Sequence, residues 1–165
     1  MSQQIFDFIT IGSAVRDILY STDKYSLLTI QKPYKREVIA FEYGGKINVD
    51  DVSSTLGGGA CNTAVNLQKL GNKVAVLGAV GKDSDGEHII RELKKGKIET
   101  KFLQKTSSHT AFSNIIAMDN KDDKEHIIFT YTGAGADFSV SKPMLSKIKT
   151  NNIYVAGLKS HKWKD

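Results

Sequence analysis

The sequence predicts an α/β fold: a parallel sheet covered by helices, with a second, smaller β element. Three observations predict it. Continuous apolar runs, such as "FDFITIG" and "KVAVLGAVG", read as strands buried on both faces. Helical patterns alternate with these runs in the order strand, helix, strand, helix, strand, which is how parallel sheets are built. Other stretches alternate polar and apolar residues, as in strands with one face in water.

In chain order, "FDFITIGSAV" reads as a buried first strand ending at Gly12 and Ser13. Residues 21–35 are polar and read mostly as loop. "REVIAFEYGGKINVDDV" reads as a hairpin about Gly44-Gly45. In "GGGACNTAVNLQKLG", Ala60, Ala64, Leu67 and Leu70 recur at helical spacing between the opening glycines and the capping Gly71. "KVAVLGAVG" is the next buried strand. "KDSDGEHIIRELKKG" is a helix with Asp83 or Ser84 as cap, acids first, lysines last and Gly96 as its stop. "TAFSNIIAMD" and "KEHIIFTYTG" are strands about the turn "NKDD". "SVSKPMLSKIK" reads as a short helix capped by Ser141 with Pro143 in its first turn. "NIYVAGL" reads as a last buried strand, and no crossover helix follows it.

Composition bounds the function. The chain has 165 residues, enough for one domain with a real core, and is 40% hydrophobic and 25% charged. No apolar run is long enough to span a bilayer, and "MSQQIFDFITIG" lacks the positive start of a signal peptide. The single cysteine, Cys61, excludes an internal disulfide and fits a reducing cytoplasm. The net charge of +5 rests on lysine, with arginine only at Arg16, Arg36 and Arg91, and the lysines are scattered among acids. That pattern is a solvated surface, so neither nucleic acid nor membrane is expected as a partner. His88, His109, His126 and His161 have no metal-ligand spacing, and no metal site is expected.

The chemistry concentrates in "LGGGACNTAVNLQKLGNKVAVLGAVGKDSDG". A glycine run feeding a helix N-terminus lets backbone approach a ligand, and its free N–H groups favour an oxygen-rich partner. Asn62 could grip a hydroxyl. The bland alternative is a tight strand-to-helix turn with Asn62 as cap. A dinucleotide fingerprint is a third reading, but it needs a small residue at Asn62 and a good strand before Gly57, and "DVSSTL" is a poor one. A P-loop is excluded, because no glycine run is followed by Gly-Lys-Ser/Thr.

This stretch closely resembles the first signature of the PfkB, or ribokinase-like, family of carbohydrate and nucleoside kinases. The matching residues are Gly57, Gly58, Asn62, Leu70, Gly71, Gly81, Asp83 and Gly86. "ITIGSAVRD" is similar to the family's opening strand, and "SSHTAFSNIIAMD" with "EHIIFTYTGAGADF" to its paired strands before a Gly-Ala turn. The resemblance implies Rossmann-like layers with helices on both faces and a small β-sheet lid, its strands within about 21–52 and 100–132. It implies transfer of the γ-phosphoryl of ATP, with Mg²⁺, to a hydroxymethyl group of a sugar or nucleoside, and a possible homodimer through the lid. Residue by residue, it implies that Asp17 accepts hydrogen bonds from substrate hydroxyls, Gly57, Gly58 and Gly59 line the sugar with backbone, and Asn62 binds a further hydroxyl. Phe41, Tyr43 and Phe112 would be lid contacts, against the alternative of plain strand packing. Val15 and Gly59 depart from the ribokinase pattern of Asn and Lys, which leaves the substrate open.

"YTGAGADFS" nearly spells the Gly-Ala-Gly-Asp turn that carries the family's catalytic aspartate. Ala136 intervenes, and one extra residue at a helix entry rotates a side chain by about 100°. Asp137 is therefore expected to be a decoy in an exit loop, and no catalytic residue is expected within the chain. The resemblance covers only the first half of the family's length. The expectation is a sugar-binding half lacking the catalytic turn and the ATP and Mg²⁺ sites, probing three origins: a truncated kinase, a non-catalytic sugar-binding or assembly subunit, or an inactive remnant. Its last strand is expected to present an unpaired apolar flank.

Overall fold

The computed structural model describes residues 5–118, 125–158 and 160. The "NKDD" turn and His161 lie outside the described residues. The chain divides into two compact units. One comprises the residues up to Asp17, Thr55–Ser113 and those from Thr130 on; the other comprises Ile18–Ser54 and Asn114–Phe129.

The first unit is organised by a four-stranded parallel sheet. β1 (Phe6–Ile11), β6 (Val74–Gly81), β7 (Leu103–Thr106) and β10 (Thr150–Val155) lie in the order β10-β1-β6-β7. Ile9 faces Ala75 on one side and Ile153 on the other, and Gly78 faces Leu103. All eight residues of β6 are buried, as a continuous apolar run requires of a central parallel strand.

Period-two alternation then sorts the core into two layers. Val74, Val76 and Val80 pack with Ala60, Cys61, Ala64, Ile89 and Leu93. These come from α1 (Gly59–Lys69) and α2 (Ser84–Lys95). Ala75, Leu77 and Ala79 pack on the opposite face with Phe6, Phe102, Ala134 and Phe138. Ala134 belongs to the one-turn α3 (Ala134–Asp137), and Met144 of α4 (Lys142–Leu145) flanks the same cluster. Helices on both faces of a parallel sheet are the architecture the sequence predicts.

The caps behave as the sequence dictates. Asp83 caps α2, accepting the Gly86 N–H at 2.8 Å, with Asp85 and Glu87 in the first turn and Lys94 and Lys95 in the last. Gly71 follows the end of α1 at φ +89°, a left-handed conformation that costs glycine little.

A second four-stranded sheet has the order β5-β2-β8-β9, formed by β2 (Val15–Thr22), β5 (Asp51–Gly57), β8 (Ala111–Met118) and β9 (His126–Tyr131). Within the second unit, β3 (Ser26–Ile30) and β4 (Arg36–Ala40) form an antiparallel hairpin with Leu28 opposite Val38. Among the described residues, no helix is long and apolar enough to cross a membrane.

Four expectations need correction. Residues 21–35 are not mostly loop, because "SLLTI" forms β3; its β-favouring residues outweigh the polar neighbours. The hairpin is β3–β4 rather than one about Gly44-Gly45. A turn exists there, with the Gly45 N–H bonded to the Glu42 carbonyl at 3.0 Å, but its flanks do not pair with each other. "DVSSTL" is a strand, β5, although almost fully exposed. The short helix expected in "SVSKPMLSKIK" is present as the single turn α4, with Ser141 as N-cap and Pro143 in that turn. The last strand is not buried. β10 lies at the sheet edge and exposes Ile153, Tyr154 and Val155, so the expected apolar flank is present.

Candidate functional site

The glycine turn is built around Ser13 and Asp17. Gly57 ends β5 and is buried, and a Cβ there would overlap the Asp17 carboxylate. The carboxylate thus lies directly against bare backbone. Gly58, the N-cap of α1, sits at φ +90°, and a side chain there would strike the Ser13 carbonyl. Only glycine meets both demands without strain.

Ser13 also engages the start of α1. Its hydroxyl accepts the Gly59 N–H at 3.1 Å, and its carbonyl accepts the Ala60 N–H at 3.3 Å. Two of the donors that sequence reasoning left free at this helix start are therefore taken. Asn62 is not a cap. It stands in the first turn of α1, exposed, its own N–H bonded to the Gly58 carbonyl at 2.9 Å. Asp17, Gly57, Gly58, Gly59 and Asn62 thus converge on one strand-to-helix turn.

Ser13 is shared with a cavity of about 140 Å³ in the first unit. Val15, Phe112, Tyr131, Phe138 and Leu158 supply its apolar wall, and Ser13, Ser113, Thr130 and Thr132 add hydroxyl-bearing residues. The Phe112 and Tyr131 rings pack at 5.4 Å between centroids, tilted by 37°. Of the three suggested aromatic contacts, Phe112 lines this cavity. Phe41 and Tyr43 belong to the second unit, where Tyr43 is fully exposed.

A second cluster, missed from sequence, forms at Thr110, the residue before Ala111 of the cavity lining. Asp83 Oδ1 accepts the Thr110 hydroxyl at 2.5 Å, and Oδ2 accepts the Thr110 N–H at 2.7 Å. The Gly81 N–H donates to the buried Thr110 oxygen at 2.9 Å. His109 Nδ1 lies 3.6 Å from Asp83 Oδ2, and the His109 carbonyl accepts the Ala134 N–H at 2.7 Å. Burial works to raise the Asp83 pKa, but the Thr110 hydroxyl, the Thr110 and Gly86 amides and the nearby His109 together hold it below the ordinary value. This clasp gives Gly81, Asp83 and Gly86 a structural meaning: they tie the end of β6 and the start of α2 to the segment that enters β8. The available signal was "SSHTAF", a hydroxyl and histidine just before a strand.

Asp137 ends α3, a helical turn rather than the expected exit loop, and is absent from the cavity lining that includes its neighbours Gly135 and Phe138. Cys61 is buried in the core of α1, and burial pushes its thiol up to about 12, which makes it a packing residue. Among the described residues, no group of three or more His, Cys, Asp or Glu side chains is placed to hold a metal ion.

Comparison with known proteins gives this turn a lineage. The pfkB family carbohydrate kinase profile matches residues 30–162. A 5-dehydro-2-deoxygluconokinase of Mesomycoplasma hyopneumoniae is 26% identical over 150 residues, covering 91% of this chain and 39% of that protein. An ATP-dependent 6-phosphofructokinase of Thermoanaerobacterium thermosaccharolyticum is 27% identical over 94 residues, 57% of this chain and 29% of its own length. The Arabidopsis thaliana ribokinase complexed with ribose and ATP superposes with TM-score 0.69 at 17% identity, covering 87% of this chain and 42% of that one. The nucleoside kinase of Methanocaldococcus jannaschii gives 0.66 at 23%, covering 93% and 45%. The chain therefore spans less than half the length of these relatives. With the glycine turn and most of its residues inside one family profile, the chain belongs to the pfkB family of carbohydrate kinases.

Proposed function

We propose that residues 1–165 carry the alcohol-binding part of a sugar or nucleoside kinase, and that the catalytic turn and the ATP-handling part lie outside them. The observation that carries this reading is the Asp17 carboxylate packed against the backbone of Gly57. A carboxylate makes short, strong hydrogen bonds to hydroxyls, and bare glycine backbone beside it lets a polyol come close. In this reading Asp17 accepts from substrate hydroxyls, Gly57 to Gly59 form the floor and Asn62 binds a further hydroxyl.

ATP and Mg²⁺ go with the family resemblance, and when bound they would supply the phosphoryl group and its charge compensation. The glycine turn does not fit them. The N–H groups of Gly59 and Ala60 already serve Ser13, and among the described residues the cavity lining has no lysine, arginine or carboxylate. No step through the nucleotide is assigned to these residues, and Asp137 has no catalytic role in this reading.

Titration calorimetry of the purified chain with sugars and nucleosides tests the proposal. Binding of at least one of them, weakened tenfold or more by Asp17→Asn, is the expected result. Undiminished affinity in Asp17→Asn would remove the assigned role. Robust ATP-dependent phosphorylation by residues 1–165 alone, lost in Asp137→Asn, would overturn the division of labour.

A further inference from the structure

We propose that Asp83 and Thr110 are positioning residues for ligand binding: from outside the cavity beside the glycine turn, they set the placement of two of its walls. Neither is among the described lining residues. The proposal rests on the reading that a hydroxyl-bearing ligand binds next to Asp17, and it adds to that site two residues that do not touch the ligand.

The contacts run through four residues, 108–111. On one side this segment meets the end of β6 and the start of α2. One Asp83 oxygen accepts the Thr110 hydroxyl, the other accepts the Thr110 N–H, and the Thr110 oxygen accepts the Gly81 N–H. Glycines close the remaining space. A methyl at Gly81 would lie 2.6 Å from the Ser108 carbonyl oxygen and 2.7 Å from the Thr110 nitrogen. A methyl at Gly86 would strike the Gly81 carbonyl and press on the Thr110 hydroxyl at 3.0 Å. No slack is left on this side.

On the other side the same segment meets the entry of α3. The His109 carbonyl accepts the Ala134 N–H at 2.7 Å. Gly133, the N-cap of α3 at φ +47°, passes so close that a methyl there would overlap the His109 carbonyl and lie 3.1 Å from the Ala111 nitrogen. Both sides continue into the cavity. Ala111, Phe112 and Ser113 carry the segment into β8 as one wall, and Thr132 and Gly135 flank the Gly133-Ala134 step in another. One tie at Asp83 thus reaches two walls, because close-packed neighbours transmit a displacement instead of absorbing it.

The test combines amide hydrogen exchange by nuclear magnetic resonance with calorimetry, using ribose and adenosine as probes. Thr110→Val removes the hydroxyl. Asp83→Ser keeps an N-cap oxygen for α2 but removes the carboxylate, and it decides the matter if Thr110→Val does not melt cooperatively. Leu93→Ala is the control, since it empties core at the far end of α2 and lowers stability without touching the clasp. Relative to Val76 in the central strand, the Ala134 amide is expected to exchange at least tenfold faster in Thr110→Val and Asp83→Ser, and to keep its wild-type ratio in Leu93→Ala. Whichever probe binds wild type should bind the two clasp variants at least threefold more weakly and Leu93→Ala within twofold. Thr110→Ser should restore both readouts. Ala134 exchange that tracks Val76 in every variant overturns the proposal, as does unchanged affinity for a probe whose binding depends on Asp17. If neither probe binds wild type, the polyol reading fails, and the Ala134 ratio alone decides whether the clasp sets the wall.

Discussion

Thr110→Val removes one oxygen and almost no volume, so it isolates the clasp at Asp83. Two interactions disappear. The hydroxyl donated to a carboxylate at 2.5 Å, and hydrogen bonds to charged groups contribute about 1.5–3 kcal/mol. The Gly81 N–H, bonded at 2.9 Å to a buried oxygen, loses its acceptor at a cost of about 1–3 kcal/mol. The added methyl recovers part of this, which leaves a net loss of about 3 kcal/mol, or about 6–12 °C in melting temperature for a chain of this size. Thr110→Ser keeps the oxygen and should recover most of the loss. The pH dependence has a definite sign. The Asp83 pKa is depressed below its ordinary 3.8 in the folded state, so its contribution is fully present above that value. It is lost as pH falls through the folded pKa. Urea unfolding followed by circular dichroism at pH 7 and below pH 3 should show a wide gap between wild type and Thr110→Val that narrows in acid. A gap under about 1 kcal/mol at pH 7, or one that does not narrow, would refute the clasp as described.

Gly57→Ala forces a methyl onto the Asp17 carboxylate. Overpacking of this kind costs about 1–3 kcal/mol, and polyol affinity should fall with it; a variant that binds and melts like wild type would contradict the contact. The Cys61 thiol, pushed up to about 12 by burial, should react with a disulfide reagent at pH 8 only as fast as the fold opens. Labelling as rapid as in urea would show that it is accessible. Ile153→Lys on the exposed edge strand β10 should reduce self-association in sedimentation analysis, because a charge on an edge opposes strand pairing. Equal association in both proteins would mean that β10 is not the sticky edge.

The sequence is most legible where one force dominates. β6 is apolar throughout and is buried throughout, and α2 announces both ends with Asp83 and Gly96. The glycine turn is legible because only glycine tolerates the Asp17 and Ser13 contacts. Polar β structure is harder to read. "SLLTI" pairs with the nearby β4, which its polar surroundings hide, and "DVSSTL" neighbours β2, well back along the chain, which local composition does not reveal. The Gly44-Gly45 signal was sound for a turn and misleading for a hairpin, since a turn does not determine which strands pair. Within the site, Asp17 and the glycines are readable from spacing. The occupancy of α1's first donors by Ser13 and the bond between Asp83 and Thr110 depend on tertiary contacts 27 or more residues apart, which spacing cannot register.

Ala156, the first residue past β10, donates its N–H to the Ile11 carbonyl at 2.8 Å. Its methyl occupies the space that a side chain would need at Gly12 and at Gly59, at 2.9 and 2.7 Å from the respective Cβ positions. Three separated stretches of chain therefore meet at a point with room for one carbon atom. Enlarging Ala156 has no compensation, because the two residues facing it are already glycine, whereas a methyl at Gly12 or Gly59 requires Ala156 to lose its own. The exit of β10 and the entry of α1 are thus locked together through a single methyl group.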